Sequence, residues 1–234
     1  MTTSDGGSFR PGAQLAGRPL HFVFVLDGSG SMNADGKIQS LNESIRDALP
    51  HLRDLADQNP FVRILVRALV FADGVRWHLA DPTPVHEVSW PPVVAGGYTD
   101  LGAALAEVSG ILHVPPMDSR AFPPVVVVIS DGRPTDDFEA GLARLMAEPW
   151  GRRAVRLAIA IGSDADLDVL SAFIGDPSIP PFAARDPEQL AYLVRFVSTA
   201  ASQLASSPAG MAEERSFPTP PDVPQPADGE LMVW

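Results

Sequence analysis

The chain has 234 residues, 45% of them hydrophobic, which is enough to bury a full core and too apolar for a disordered polypeptide. A formal net charge of −12 argues against a nucleic-acid binder, since no basic excess offsets phosphate repulsion. The absence of cysteine excludes disulfides, thiolate metal sites and thiol catalysis.

Residues 1–19 are polar with several Gly and Pro, and a flexible arm is expected there. They lack the apolar stretch of a signal peptide, and no run reaches membrane-spanning length, so a cytoplasmic protein without a membrane span is expected. Lys37 is the only lysine among 17 basic residues, a bias that leans towards a GC-rich bacterial genome.

LHFVFVLD (20–27) is an almost unbroken apolar run, as in a parallel strand covered on both faces. The segment 37–58 places Ile38, Leu41, Ile45, Leu49, Leu52 and Leu55 at helical spacing, with Pro50 expected to kink it or remove a hydrogen bond. VRILVRALVFA (62–72) and VRWHLA (75–80) are joined through Asp73-Gly74, a hairpin signal that predicts one antiparallel edge strand. GGYTDLGAALAEVSGIL (96–112) becomes helical after Thr99. PPVVVVISDG (123–132) holds the most apolar strand and is expected at the sheet centre. A helix (136–149), a strand (154–162), a short helix (165–174), a last strand (182–186) and a closing helix (187–205) follow. Alternation of this kind predicts an α/β fold: a doubly wound, mostly parallel sheet with one antiparallel edge strand and helices on both faces.

Residues 20–205 thus form the expected domain. Residues 206–234 are a Pro-rich acidic tail, unsuited to packing alone. Its apolar end, Leu231, Met232, Val233 and Trp234, is expected to dock on a partner protein or a neighbouring copy.

The stretch FVFVLDGSGSM (22–32) carries the chemistry. An apolar run stops at Asp27, and two hydroxyls, Ser29 and Ser31, follow among glycines. A dinucleotide-binding turn fails because Asn33 stands where the third glycine belongs. A phosphate-binding P-loop fails because five residues separate Gly30 from Gly36, Asp35 would repel phosphate, and Ile38 follows Lys37. A phosphotransfer aspartate needs a second acid, where Ser29 stands, and a lysine or general base near the site, neither of which the sequence clearly supplies. A serine hydrolase lacks its G-x-S-x-G motif. His21, His51, His78, His86 and His113 sit in no suggestive motif and read as surface or half-buried residues. A magnesium site needs about six oxygens, some of them from water. Asp27, Ser29 and Ser31 can supply three, and Thr99 and Asp131 lie at or near the ends of other strands, where open α/β sheets gather their ligands.

D-G-S-G-S at 27–31, Thr99 after Gly96-Gly97, and ISDG at 129–132 resemble the metal-ion-dependent adhesion site of von Willebrand factor A domains. The likeness spans residues 20 to about 200 in the family's order. It implies that Ser29 and Ser31 ligate Mg2+ or Mn2+ directly, that Thr99 does so directly or through water, and that Asp27 and Asp131 balance its charge directly or through water. It also implies one open position for a partner protein's acidic residue, hence a non-enzymatic interaction module. Asp100 and Asp136 read as helix N-terminal caps. The short form with LNESIRDALP after the motif is similar to the TerY-like bacterial branch, associated with tellurium-resistance and stress operons and with phosphatase- and kinase-like proteins. A metal-dependent phosphotransfer enzyme, or a regulatory subunit of an AAA+ or chelatase-type machine, is the competing expectation.

Overall fold

The computed structural model describes residues 17–206 and Pro218. Leu231, Met232, Val233 and Trp234 lie outside the described residues.

Among the described residues six strands form one sheet: β1 (Arg18–Asp27), β2 (Val62–Ala72), β3 (Gly74–Pro84), β4 (Val125–Ser130), β5 (Val155–Ile161) and β6 (Phe182–Ala184). Their spatial order is β3-β2-β1-β4-β5-β6, with only β2 and β3 antiparallel. The chain leaves β1 towards β2 and β3, then returns to place β4 on the other side of β1. Strand order therefore reverses between β1 and β4, which opens a crevice outside their carboxyl ends.

Alternation along the central strands builds two cores. Phe22, Phe24 and Leu26 of β1, with Val127 and Ile129 of β4, pack under α1 (Lys37–Gln58) and α6 (Pro187–Ser206). Val23 and Val25, with Val126 and Val128, pack under α2 (Leu101–Ser109), α3 (Phe138–Ala147) and α5 (Leu167–Ile174). Burying each such side chain contributes about 1.5–3 kcal/mol, so β1 and β4, whose middle stretches are mostly apolar and buried, belong at the centre. The edges are poor templates for further pairing, because β6 has only three residues and β3 is half-exposed and pairs irregularly with β2.

Four details differ from the sequence expectations. Helix α1 continues through Pro50, which is exposed, so the loss is confined to the donor for the Arg46 carbonyl. A short helix, α4 (Pro149–Arg153), follows α3, started by proline in its first turn. Strand β1 begins at Arg18, whose guanidinium donates to the carbonyls of Arg120 and Ala121. His21 is buried, because β1 is covered on both faces from Pro19 onward. Burial, with help from the Arg67 and Arg63 charges, lowers its pKa to about 4.

Candidate functional site

Strand β1 ends at Asp27 and so delivers it to the carboxyl edge of the sheet. The Gly28 amide donates to Phe71 of β2 at 2.8 Å, and its carbonyl accepts from the Gly96 amide at 2.7 Å. The Gly30 amide donates to the Gly97 carbonyl, so the 28–31 turn is stitched to the loop before α2. Gly97 has φ +94°, and a Cβ there would lie 2.7 Å from Asp73, so this loop approaches the hairpin only through glycine.

Asp27 is fully buried, and both its oxygens are engaged. Oδ1 accepts from the Ser29 amide at 2.8 Å and Oδ2 from the Ser130 hydroxyl at 2.5 Å. Burial pushes its pKa up, against the opposing pull of those Ser130 and Ser29 hydrogen bonds, and the Asp131 charge adds to the rise. Ser29 Oγ lies 2.9 Å from Ser31 Oγ, and Ser31 Oγ donates to Asp131 Oδ1 at 2.7 Å. A Cβ on Gly132 would sit 3.6 Å from Thr99 Oγ1 and 3.9 Å from Ser31 Oγ, so those hydroxyls flank one side-chain-free residue. Asp27, Ser29, Ser31, Thr99 and Asp131 thus come together from three loops at the crevice between β1 and β4.

Sequence reasoning missed three groups. Ser130 orients Asp27, and only its place beside Asp131 hinted at this. Thr135 fixes the Thr99 loop: its amide donates to the Thr99 carbonyl at 2.9 Å, and its hydroxyl accepts from the Thr99 amide at 3.1 Å. Lys37 is the largest omission. Its Nζ lies 2.8 Å from Asp131 Oδ2, with the lysine side chain 7% and the aspartate side chain 0% exposed. The sequence did not clearly place a lysine near the site, and the structure does. Its signal was being the chain's single lysine, at the first position of α1.

The acids near the rim are structural in a different way from that expected. Asp100 makes no side-chain cap on α2; its Oδ2 accepts from the Gly74 amide at 2.8 Å and ties down the hairpin. Asp136 caps α2 rather than its own helix, accepting from the Gly102 and Ala103 amides at 2.9 and 2.7 Å. Asp137 caps α3 through the Ala140 amide.

The cluster offers oxygen alone, which suits a hard divalent cation such as Mg2+ or Mn2+. Among the described residues no group of three or more His, Cys, Asp or Glu side chains gathers, so a cation here would depend on hydroxyls for much of its shell. The side chains present fit that demand: two carboxylates and three hydroxyls share the crevice, and Ser31 is exposed while Asp27, Ser29, Thr99 and Asp131 are buried. Beside it, Val94 and Tyr98 are 72% and 66% exposed, giving the crevice an apolar lip. An open cleft lies at the opposite end of the sheet, lined by Pro60, Phe61, Val62, Pro84 and Val85. Among the described residues no helix is long and apolar enough to cross a membrane.

No curated protein matches the chain by sequence. Solved structures share its fold. A von Willebrand factor type A protein from Catenulispora acidiphila superposes with TM-score 0.61 at 18% identity, covering 79% of this chain and 43% of that one. The ArnB paralog VWA2 from Sulfolobus acidocaldarius gives 0.57 at 18%, covering 79% and 46%. Proximal thread matrix protein 1 from the mussel byssus, in a structure with a zinc-occupied MIDAS motif (the metal-ion-dependent adhesion site), gives 0.56 at 19%, covering 80% and 46%. The chain spans less than half the length of each of these three. The sequence profile of the von Willebrand factor type A domain matches residues 22–196, three-quarters of the chain and all six strands in whole or part, and the chain belongs to that family of protein-interaction modules.

Proposed function

We propose that this protein is a non-enzymatic, metal-dependent interaction module whose crevice holds Mg2+ or Mn2+ and receives an acidic residue of a partner protein. The observation that carries the reading is the convergence of Ser29, Ser31, Thr99 and Asp131 oxygens beside buried Asp27 at the switch point of the sheet. When bound, the cation supplies a concentrated positive charge that a partner carboxylate can meet. The chain's own residues do the rest. Ser31 presents its hydroxyl to the opening with the Ser29 hydroxyl buried beside it, Asp27 holds the Ser29 amide and the Ser130 hydroxyl, and Thr135 is hydrogen-bonded to the Thr99 loop. Val94 and Tyr98 provide apolar contact around the acid.

The finer placement, a cytoplasmic TerY-like protein of a bacterial tellurium-resistance or stress system beside phosphatase- and kinase-like partners, belongs to the same proposal. It is supported by the motif resemblance.

Lys37 beside Asp131 is the one observation favouring phosphotransfer. The geometry around it weighs against that reading. Asp27 is fully buried, which leaves an incoming phosphoryl group no open approach to it, and Lys37 is paired with Asp131.

The test is partner capture from lysate in Mg2+ and in EDTA, with wild type, Asp27→Ala and Thr99→Ala. Binding lost in EDTA and in both folded variants supports the module; binding unchanged in all three sinks it. Intact mass after incubation with acetyl phosphate and Mg2+ should show no adduct, and a phosphoryl adduct on Asp27 or Asp131 would return the enzyme reading.

A further inference from the structure

Lys37 is the only lysine in a chain that uses arginine at every other basic position, and it is buried against a residue of the candidate cation site. The two oxygens of Asp131 are divided: Oδ1 takes the Ser31 hydroxyl at the mouth of the crevice, and Oδ2 takes the Lys37 ammonium behind it. A lysine can hold one oxygen as a point charge, whereas arginine's planar fork tends to claim both. The main chain places it there through a left-handed pair, Asp35 (φ +50°) and Gly36 (φ +73°), which swings Lys37 into the first position of α1.

From the juxtaposition of Lys37 Nζ and Asp131 Oδ2, 2.8 Å apart and shielded from water, we propose that Lys37 is a built-in counter-charge that weakens cation binding and strengthens the receipt of a partner's acid. The inference rests on the cation-site reading above. Asp27 and Asp131 bring two formal negative charges, which a divalent ion would cancel. A neutralised centre has little left to offer an incoming carboxylate. With the Lys37 ammonium included, the same centre filled by a divalent ion carries one net positive charge, held in a poorly screened place. The lysine thereby moves electrostatic attraction from the ion's own retention to capture of the partner. It also keeps Oδ2 occupied, so Asp131 offers a single oxygen towards the crevice.

The experiment is Mn2+ binding to the full chain by electron paramagnetic resonance, for wild type, Lys37→Met and Lys37→Gln, with acetate replacing chloride at constant ionic strength. Met approximates the length of the stem and Gln keeps a shorter polar one, both without the charge; two variants guard against one that fails to fold, circular dichroism reporting on each. The expected result is Mn2+ binding at least about tenfold tighter in the neutral variants than in wild type. Acetate, standing in for the partner's side chain, should tighten Mn2+ binding several-fold in wild type and by less than about twofold in the variants, as binding linkage requires. Equal Mn2+ affinity in wild type and folded variants overturns the counter-charge role while leaving the site intact. An acetate effect of the same size in all three overturns its part in receiving the acid. Absence of Mn2+ uptake by wild type overturns the cation-site reading itself.

Discussion

Acid should destabilise this domain through His21, far from the candidate site. The imidazole lies on β1 inside the sheet, where burial and the Arg67 and Arg63 charges disfavour its protonated form, with Asp118 opposing them weakly. Its pKa falls from 6.5 to about 4 on folding. A base whose pKa is depressed contributes stability that is whole above the unfolded value and lost as pH falls through 6.5 towards 4. Between pH 7 and pH 5 the proton taken up by the unfolded chain alone costs about 2 kcal/mol, rising to about 3 kcal/mol below pH 4. Asp27 works in the opposite sense, because its raised pKa favours the protonated form in the folded state, so wild type alone would mix the two effects. The comparison that isolates His21 is with His21→Gln, which keeps every other titrating group. Urea unfolding at pH 7 and pH 5 should show the stability gap between the two proteins shifting by about 2 kcal/mol in favour of the variant at the lower pH. A gap that stays constant within about 0.5 kcal/mol refutes the reasoning, and with it the claim that this imidazole is held neutral by its surroundings.

Gly102→Ala should be costly, since the new Cβ would lie 2.3 Å from the Asp137 carbonyl oxygen, and the overlap can be relieved only by separating α2 from α3. A loss of about 1–3 kcal/mol is expected by thermal denaturation, together with weaker Mn2+ binding because the Thr99 loop moves with α2. Ser130→Ala removes the hydroxyl that serves Asp27 Oδ2 and leaves a buried carboxylate oxygen bare. Urea titration should register about 1–3 kcal/mol at neutral pH, and a change under about 0.5 kcal/mol would mean the bond contributes little. Tyr98→Ala should leave the melting temperature unchanged, as its side chain is exposed, yet weaken partner capture by about tenfold if the apolar lip is part of the contact.

Much of this molecule was legible in sequence for a simple reason: its central strands are buried on both faces. LHFVFVLD and VVVVIS can hardly be anything but inner strands, and Asp73-Gly74 marked the one antiparallel pair. The aspartate, serine and threonine positions could be gathered into one candidate site because they lie at or near the carboxyl ends of strands, and a doubly wound sheet brings those ends together. What escaped depends on which helix reaches where. Lys37 meets Asp131 across 94 positions, and Ser130 meets Asp27 across 103. Neither contact leaves a mark on local periodicity. Asp136 looked like the cap of the helix it precedes, but backbone packing of α3 on α2 hands its carboxylate to the neighbouring helix.

That packing has a mechanical consequence. A Cβ on Gly141 of α3 would lie 2.1 Å from the Gly102 carbonyl oxygen, so the helices touch main chain to main chain with no flexible side chain between them. Asp136 rivets the start of α2 to the loop that carries Asp131, and Thr135 clamps that same loop to Thr99. A load applied at the crevice by a tethered partner would find no compliant layer to stretch. The Thr99 and Asp131 loops would be displaced as one stiff bracket, and pulling would be borne by two whole helices and the sheet behind them.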